Sequence, residues 1–208
     1  EFARRTRCAY DDRAWVADYT SVVRVVLVVW KFSESVRSFG MPFTHVESGL
    51  SARVDGKFLA NGGRRFRIKG VSYGTFAPDS NAYQFPTLSR VREDFQAMTR
   101  SGINTVRTYT VPRLDVLDEA AAAGLSVVVG IPWMQHVAFL DDRTRTQSIR
   151  RQIIDDLRTI ADHPATLLVA LGNEIPPGVV RWHGASRIET FLRNVYDDAK
   201  AVAPEVLL

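Results

Sequence analysis

The 208-residue chain contains one cysteine, Cys8, so neither an intrachain disulfide nor a cysteine-based zinc site is possible within it. It also lacks an apolar run of the roughly 20 residues that are needed to span a bilayer. Its most apolar stretch, residues 22–30, is much shorter and is interrupted by Arg24. We therefore expect no membrane insertion and interpret this stretch as a strand or as part of a longer segment.

The chain has no strong excess of charge of one sign. Its 27 Lys and Arg residues are set against 23 Asp and Glu residues, which leaves a formal net charge of +4. The basic side chains are scattered among acidic ones, whereas nucleic-acid binding needs cationic side chains clustered on one face. Nucleic acid is therefore not a predicted partner.

Two parts of different character follow one another along the chain. Residues 1–49 show no clean periodicity and are treated as an N-terminal extension to which no fold is assigned. The pattern becomes regular over residues 50–208. There, Asp55 and Gly56 predict a type I′ β-hairpin, and residues 61–63 predict a second turn.

A strand followed by a helix then occurs four times. The predicted strands are residues 66–73, 103–108, 125–131 and 166–172. The predicted apolar faces of the helices are, in order, Leu88, Val91, Phe95 and Met98; Leu114, Leu117 and Ala121; Ile149, Ile153, Leu157 and Ile160; and Ile188, Leu192, Val195 and Ala199. Asp141 and Asp142 are interpreted as caps of the third helix, and residues 186–189 as a capping box for the fourth.

This alternation predicts an α/β fold with a parallel sheet. The sheet could belong to a closed (β/α)8 barrel or to an open doubly wound fold. No Gly-x-Gly-x-x-Gly motif follows the first strand, so the dinucleotide-binding form of the open sheet lacks its main signature. The residues at the strand ends favour the barrel.

Polar and aromatic side chains follow every predicted strand. Strand by strand they are Ser72 and Tyr73; Arg107 and Tyr109; Trp133, Gln135 and His136; and Asn173 and Glu174, with Trp182 and His183 shortly after. The carboxyl ends of the strands are where the active sites of such barrels lie, so we expect these side chains in one mouth. Aromatic faces, amides, a guanidinium and a carboxylate together suit a polyhydroxylated ligand such as a sugar.

Structural roles would also account for several of these residues. Arg107 could form an ion pair with a core carboxylate, and Trp133 could simply pack above the sheet. His136 and His183 could be hydrogen-bonding loop residues. Since neither histidine has an Asp or Cys nearby at ligand spacing, no metal site is predicted, and nothing in the sequence implies an organic cofactor.

Three motifs together resemble one family of enzymes. Residues 61–73 are similar to the opening of the barrel in clan A glycoside hydrolases, especially those of the family-two type. Residues 102–109 resemble the second strand of that clan with its active-site arginine, here Arg107. Residues 172–174 resemble its fourth-strand motif of Gly, Asn and Glu. The resemblance covers residues 50–208 and implies the first four βα units of a TIM barrel, preceded by a β-hairpin.

The resemblance implies catalytic roles for three residues. Glu174 would be the general acid/base, Asn173 would bind the sugar 2-hydroxyl, and Arg107 would steady the nucleophilic carboxylate. Tyr73, Tyr109, Trp133, His136, Trp182 and His183 are the candidate substrate-binding residues. Enzymes of this clan hydrolyse or transfer β-linked glycans with retention of configuration, and their nucleophile lies at the end of the seventh strand. No carboxylate of this chain matches that position.

The expectation is therefore the amino-terminal half of a retaining glycosidase barrel, inactive in isolation and acting on an oligo- or polysaccharide when complete. An unpaired strand edge at residues 167–171 would promote self-association. A non-catalytic carbohydrate-binding or scaffold half-barrel is the alternative from another class. Another barrel enzyme, such as an aldolase, would need a lysine at a strand end, and Lys69 precedes the end of the first strand.

Overall fold

The structure, a computed structural model, describes residues 52–208, so the expectations for residues 1–49 lie outside the described part of the chain. It begins with a small antiparallel sheet of three strands, β1 (Arg53–Asp55), β2 (Phe58–Asn61) and β3 (Arg64–Phe66). An ion pair of 3.2 Å between Arg65 Nε and Asp55 Oδ2 links the outer strands. This sheet is largely exposed to solvent.

The first hairpin turns one residue later than predicted. Asp55 pairs with Phe58, so the two central residues are Gly56 and Lys57. Of these only Gly56 has a positive φ, 60°, which is the type II′ arrangement, and the predicted type I′ is wrong here. The type I′ pattern occurs instead in the second turn, residues 61–63, where both glycines have positive φ.

Four parallel strands form the main sheet: β4 (Gly70–Ser72), β5 (Thr105–Thr108), β6 (Ser126–Gly130) and β7 (Thr166–Ala170). They lie in chain order, and each pairs in parallel with the next. The prediction of four parallel strands is confirmed. The first of them was predicted too long, because Phe66 belongs to β3 in the antiparallel sheet and β4 begins only at Gly70.

The side chain of Asn104 explains how the chain passes from one sheet to the other. Its Nδ2 donates to the Arg67 carbonyl, and its Oδ1 accepts from the Lys69 N–H, both at 2.8 Å. An amide side chain thus satisfies backbone groups between β3 and β4 that no strand pairs. This contact joins the segment before β4 to the start of β5.

Five helices accompany the main sheet: α1 (Leu88–Arg100), α2 (Leu114–Ala122), α3 (Arg143–Ile160), α4 (Pro177–His183) and α5 (Ala185–Val202). The predicted apolar face of α3 is confirmed, since all four of its residues are buried. In α1, Val91 and Phe95 are buried, and Leu88 and Met98 pack against the core while partly exposed. The predicted faces of the other two long segments differ from the observed ones.

The buried face of α2 is turned by one residue from the predicted one. Leu117 is buried as expected, but Leu114 is 47% exposed. Ala121 is exposed as well, and the remaining buried positions are Val116 and Ala120. The prediction was wrong because the three alanines, two leucines and one valine of α2 allow more than one apolar stripe.

The last segment contains two helices where one was predicted. α4 ends at His183, and α5 begins at Ala185, directly after Gly184 with φ of 84°. No side chain caps α5, so the predicted capping box is wrong, and Ser186 lies inside the first turn. The buried face of α5 contains Phe191 in place of Leu192, which is 39% exposed.

The two faces of the main sheet are covered to different degrees. Val127, Val129, Leu167 and Val169 are buried in the core, whereas the alternate residues of β6 and β7, such as Val128 and Leu168, remain partly accessible. A strand of a parallel sheet is commonly buried on both faces, and here β6 is fully buried on only one of them. Side chains alternate between the faces of a strand, so one face is closed by helices and the other is open.

The edge strand β7 is partly occupied by the end of the chain. The Val169 N–H donates to the Leu207 carbonyl at 2.8 Å. Lys200 Nζ holds this final segment through the carbonyls of Pro204, at 3.0 Å, and Val206, at 2.6 Å. The predicted edge at residues 167–171 is thus not wholly unpaired. Between residues 52 and 208, no helix is long and apolar enough to cross a membrane.

Candidate active site

A cleft of about 260 Å³ lies at the carboxyl ends of β5, β6 and β7, and we call it the strand-end cleft. It is lined by Thr75, Arg107, Tyr109, Thr110, Gly130, Ile131, Pro132, Gln135, Gly172 and Asn173. The ends of β5, β6 and β7 contribute together with Thr75 from the segment after β4, as expected for a site on a parallel sheet. The volume lies just below the roughly 300–1,000 Å³ of common small-molecule sites.

Arg107 and Asn173 meet in this cleft, although 66 residues separate them in the chain. Arg107 Nη2 donates to Asn173 Oδ1 at 3.2 Å, which fixes the orientation of the amide. The guanidinium also lies over the ring of Tyr109, with Cζ 4.6 Å from the ring centroid. Within the described part of the chain, Arg107 forms no ion pair, so its positive charge is available to a ligand or another chain segment.

Glu174 follows Asn173 directly and is exposed. It is not among the residues that line the cleft, although its neighbour is. It forms no ion pair with another residue of the described range 52–208. A carboxyl in this position is accessible to a molecule that approaches the mouth of the cleft.

Trp133 determines how β7 ends. Its indole N–H donates to the Leu171 carbonyl at 2.9 Å. A Cβ on Gly172 would lie 2.7 Å from the same Nε1, so only glycine allows this contact. The ring is buried in T-shaped contacts with Phe139 and Phe191. Trp133 therefore lies beneath the 172–174 motif and positions it.

Gly130 allows a similar close approach at the end of β6. A Cβ there would lie 2.8 Å from the Thr108 carbonyl oxygen and 3.3 Å from Tyr109 Cα. The glycine thus lets β5 and β6 approach where Tyr109 enters the cleft. The loop after β6 is bound to α3, because Gln152 Nε2 donates to the Pro132 carbonyl at 2.9 Å.

Tyr73 lies away from the strand-end cleft. Its hydroxyl donates to Asp94 Oδ2 on α1 at 3.0 Å, and its ring packs against Phe76 and Phe95. Burial, together with the hydrogen bond to Asp94, raises the pKa of this phenol. Ser72 and Tyr73 point to opposite faces because side chains alternate along a strand. The structure therefore joins Tyr73 to the helix layer.

Trp182 and His183 form a second group around Asp141. Trp182 Nε1 donates to Asp141 Oδ2 at 2.6 Å, and His183 Nδ1 lies 3.5 Å from Asp141 Oδ1. The Trp182 side chain is 71% exposed, whereas His183 is buried against Phe139 and accepts from the Leu140 N–H. Asp141 thus joins the loop after β6 to α4, while Asp142 alone caps α3 by accepting from the Arg145 N–H.

The His136 side chain is exposed, and it forms no hydrogen bond or ion pair with another of the described residues.

No other carboxylate is available at the cleft among residues 52–208. Asp79 caps its own turn by accepting from the N–H groups of Asn81 and Tyr83. Glu119 is bound by Arg92 on α1, and this hydrogen bond lowers its pKa. Glu189 lies on α5, as predicted. The same residues contain no group of three or more His, Cys, Asp or Glu side chains placed to hold a metal ion.

Sequence reasoning missed three lining residues, Thr75, Thr110 and Gln135, as ligand contacts. Gln135 was noted at the end of the third strand, but nothing distinguished it from its neighbours His136 and Trp133. A signal exists only in the structure, where Gln135 is 4% exposed while His136 faces solvent. The two threonines lie one or more residues beyond their strands, where the sequence carries no periodicity.

Solved structures with a similar fold include glycoside hydrolases. Bacteroides uniformis β-glucuronidase 3 matches 71% of this chain with a TM-score of 0.60 at 22% identity, over 19% of its own length. Parabacteroides merdae β-glucuronidase matches 74% at 0.61 and 19% identity, over 20% of its length. A hyperthermostable endocellulase matches 78% at 0.58 and 13% identity, over 57% of its length.

These matches show the fold. The four-stranded parallel sheet with its helices fits part of the TIM barrel of such enzymes. The chain spans about a fifth of the length of the β-glucuronidases that it matches. No protein-family model matches the sequence, and no curated protein matches it either.

Proposed function

We propose that residues 52–208 are the first four βα units of a retaining glycoside hydrolase or transglycosylase barrel of the clan A, family-two type, acting on a β-linked glycan. The hydrogen bond between Arg107 and Asn173 carries the proposal, because it joins the ends of two strands beside Glu174. The fold of the β-glucuronidases and of the endocellulase supports the same class of substrate. No cofactor takes part.

The proposed reaction divides the work among three residues and a carboxylate from elsewhere in the complete barrel. That carboxylate attacks the anomeric carbon, while protonated Glu174 gives its proton to the leaving oxygen. Ionised Glu174 then takes a proton from water or from an acceptor sugar, which displaces the enzyme carboxylate. Asn173 holds the 2-hydroxyl, and Arg107 steadies the nucleophile, which lies about 5–5.5 Å from the acid in retaining enzymes.

A carbohydrate-binding protein without catalysis is the second candidate. It is favoured by the composition of the strand-end cleft, whose ten lining residues include no carboxylate. Tyr109, Arg107 and Asn173 would still bind a sugar through stacking and hydrogen bonds. The two candidates share the ligand and differ only in turnover.

Binding and turnover by the 208-residue chain test the proposal. Saturation-transfer NMR with methyl β-D-glucopyranoside and methyl β-D-glucuronide should detect saturable binding. Arg107→Met and Asn173→Ala should weaken it, whereas the matched control Arg151→Met, on the exposed side of α3, should not. No binding of either sugar, or binding that Asn173→Ala leaves unchanged, would sink the proposal.

Turnover separates the two candidates. Hydrolysis of aryl β-glycosides by this chain should lie near background, because the groups that remain can only protonate and position. Robust turnover would establish catalysis within this chain if Glu174→Gln abolishes it and the control Glu189→Gln leaves it unchanged. Asp79 and Asp141 would then be the first candidate nucleophiles to test. Turnover that Glu174→Gln leaves unchanged would remove Glu174 from the mechanism.

A further inference from the structure

Gln135 is a buried amide in the wall of the strand-end cleft. It is 4% exposed, and its carbonyl oxygen Oε1 has no hydrogen-bond partner within residues 52–208. Buried side-chain polar atoms nearly always have a partner in folded proteins, and those without one call for an explanation. A ligand in the cleft is such an explanation, since Gln135 is one of the residues that line it.

The loop that carries Gln135 is held on several sides, so the amide cannot find a partner by a shift of the backbone. The backbone N–H of Gln135 donates to the Trp133 carbonyl at 2.8 Å. Trp133 is fixed by its bond to the Leu171 carbonyl, and Gln152 binds Pro132 from α3. A half-turn of the terminal amide would exchange its oxygen and its nitrogen.

The other polar groups of the cleft indicate what Gln135 would bind. Arg107 can only donate hydrogen bonds, and the Asn173 oxygen already accepts from it. Gln135 therefore adds an amide that both donates and accepts, from the loop after β6, the strand that lies between β5 and β7. A hydroxyl group, which also does both, is the ligand group that matches it best.

We propose that the Gln135 amide binds a ring hydroxyl of the sugar in the strand-end cleft and makes the site select for a ring that is hydroxylated at that position. The inference rests on the proposed glycan-binding function. In this arrangement Arg107, Asn173 and Gln135 bind different hydroxyls of one ring, since all three line the same cleft. A site built to hydrogen-bond a hydroxyl rejects the analogue that lacks it, because its polar groups are then left unpaired.

A cycle of one substitution and one hydroxyl deletion tests this assignment. Affinities of the 208-residue chain are measured for methyl β-D-glucopyranoside and its 2-, 3-, 4- and 6-deoxy analogues. The wild-type chain should bind one of the analogues about tenfold more weakly than the parent, the effect of one lost hydrogen bond. Gln135→Met should bind the parent sugar about tenfold more weakly than the wild-type chain does. It should bind the deoxy analogue with the same affinity as the wild-type chain, because the substitution and the missing hydroxyl remove the same contact.

Thermal stability separates this role from a structural one. Without ligand, Gln135→Met should melt at the same temperature as wild type or higher, since it replaces an unpaired buried amide by an apolar side chain of similar length. The matched control Gln152→Met loses the bond to Pro132 and should melt lower.

The outcomes are distinguishable. If Asn173→Ala loses binding but Gln135→Met keeps wild-type affinity and selectivity, the role of Gln135 is refuted and the proposed function stands. If the wild-type chain binds neither this sugar nor methyl β-D-glucuronide, both are refuted. A lower melting temperature of Gln135→Met together with equal losses for all analogues would show that the residue only supports the fold.

Discussion

At Gly172 the absence of a side chain allows the indole of Trp133 to lie under the end of β7. Gly172→Ala should lower the free energy of unfolding by about 1–3 kcal/mol, the range for overpacked sites. The new Cβ would meet Nε1 at 2.7 Å, and the buried ring cannot move away from Phe139 and Phe191. Denaturant unfolding measures the change.

A second glycine provides the control. Gly178, in the first turn of α4, has no atom within 4 Å of an added Cβ. Gly178→Ala should stabilise the protein slightly, by about 0.4–1 kcal/mol, because alanine loses less conformational freedom in a helix. Equal effects of the two substitutions would contradict the role assigned to Trp133.

Asp156 on α3 makes stability depend on pH at the level of one residue. Burial is the main cause that raises its pKa above the ordinary value of 3.8, and nearby Asp155 adds to it. A raised pKa in the folded state means that the folded protein binds the proton more tightly, so stability falls as pH rises from 3.8 through that pKa. At neutral pH the charged carboxylate is therefore unfavourable.

Asp156→Asn should raise the melting temperature at neutral pH by about 1–3 °C, a small gain because the side chain is only partly buried. The gain should vanish at about pH 3, where the carboxyl is protonated in both states. Melting curves across this range check the sign. Asp162→Asn, exposed just beyond α3, is the control and should show no such trend. A loss of stability at neutral pH would contradict the assignment.

At the scale of elements, Asp141 fastens the loop after β6 to α4. Asp141→Ala removes the acceptor of Trp182 and the neighbour of His183, and it should cost about 1 kcal/mol. Backbone hydrogen exchange should accelerate in residues 137–142 and in α4. Asp142→Ala should cost a similar amount but accelerate exchange in the first turn of α3, which it caps. Identical exchange patterns would show that Asp141 has no separate role.

The elements that the sequence predicts well are those with one unambiguous pattern. α3 has a single stripe of isoleucine and leucine, and its buried face was predicted residue by residue. In α5 both Phe191 and Leu192 fit an apolar face, and the position of Gly184 decides which one is buried. α4 has only seven residues, too few for a helical period to be seen in the sequence.

The candidate site, like the helices, could be predicted from the sequence only in part. The meeting of Arg107 and Asn173 could be predicted, because parallel strands of known order bring their carboxyl ends together. The directions of Tyr73 and Trp133 could not. They depend on which face of a strand a residue occupies where the strand ends, and a shift of one residue reverses that face.

At the scale of the whole sheet, the segment 203–208 covers part of the edge strand β7. A chain that ends at Val202 should lose about 2–4 kcal/mol, because it exposes apolar surface packed against Val206 and Leu208 and frees the N–H of Val169. It should also self-associate through the open edge of β7. Size-exclusion chromatography over a range of concentrations, with thermal unfolding, measures both effects.

Lys200→Met keeps the segment but removes the two bonds of Nζ to its carbonyls, so a smaller loss of stability without self-association is expected. If the shortened chain remains as stable and as monomeric as the full one, the segment does not protect the edge.

Because the strand order β4, β5, β6, β7 repeats the order of the chain, each strand after β4 has a pairing partner already synthesised when it leaves the ribosome. No later segment must be inserted between two earlier ones, as it would be where strand order departs from chain order. Synthesis can therefore add one strand and one helix at a time to a growing edge. Protease resistance of stalled nascent chains should rise in steps as residues 131 and 171 emerge, and a single rise at full length would exclude such stepwise growth.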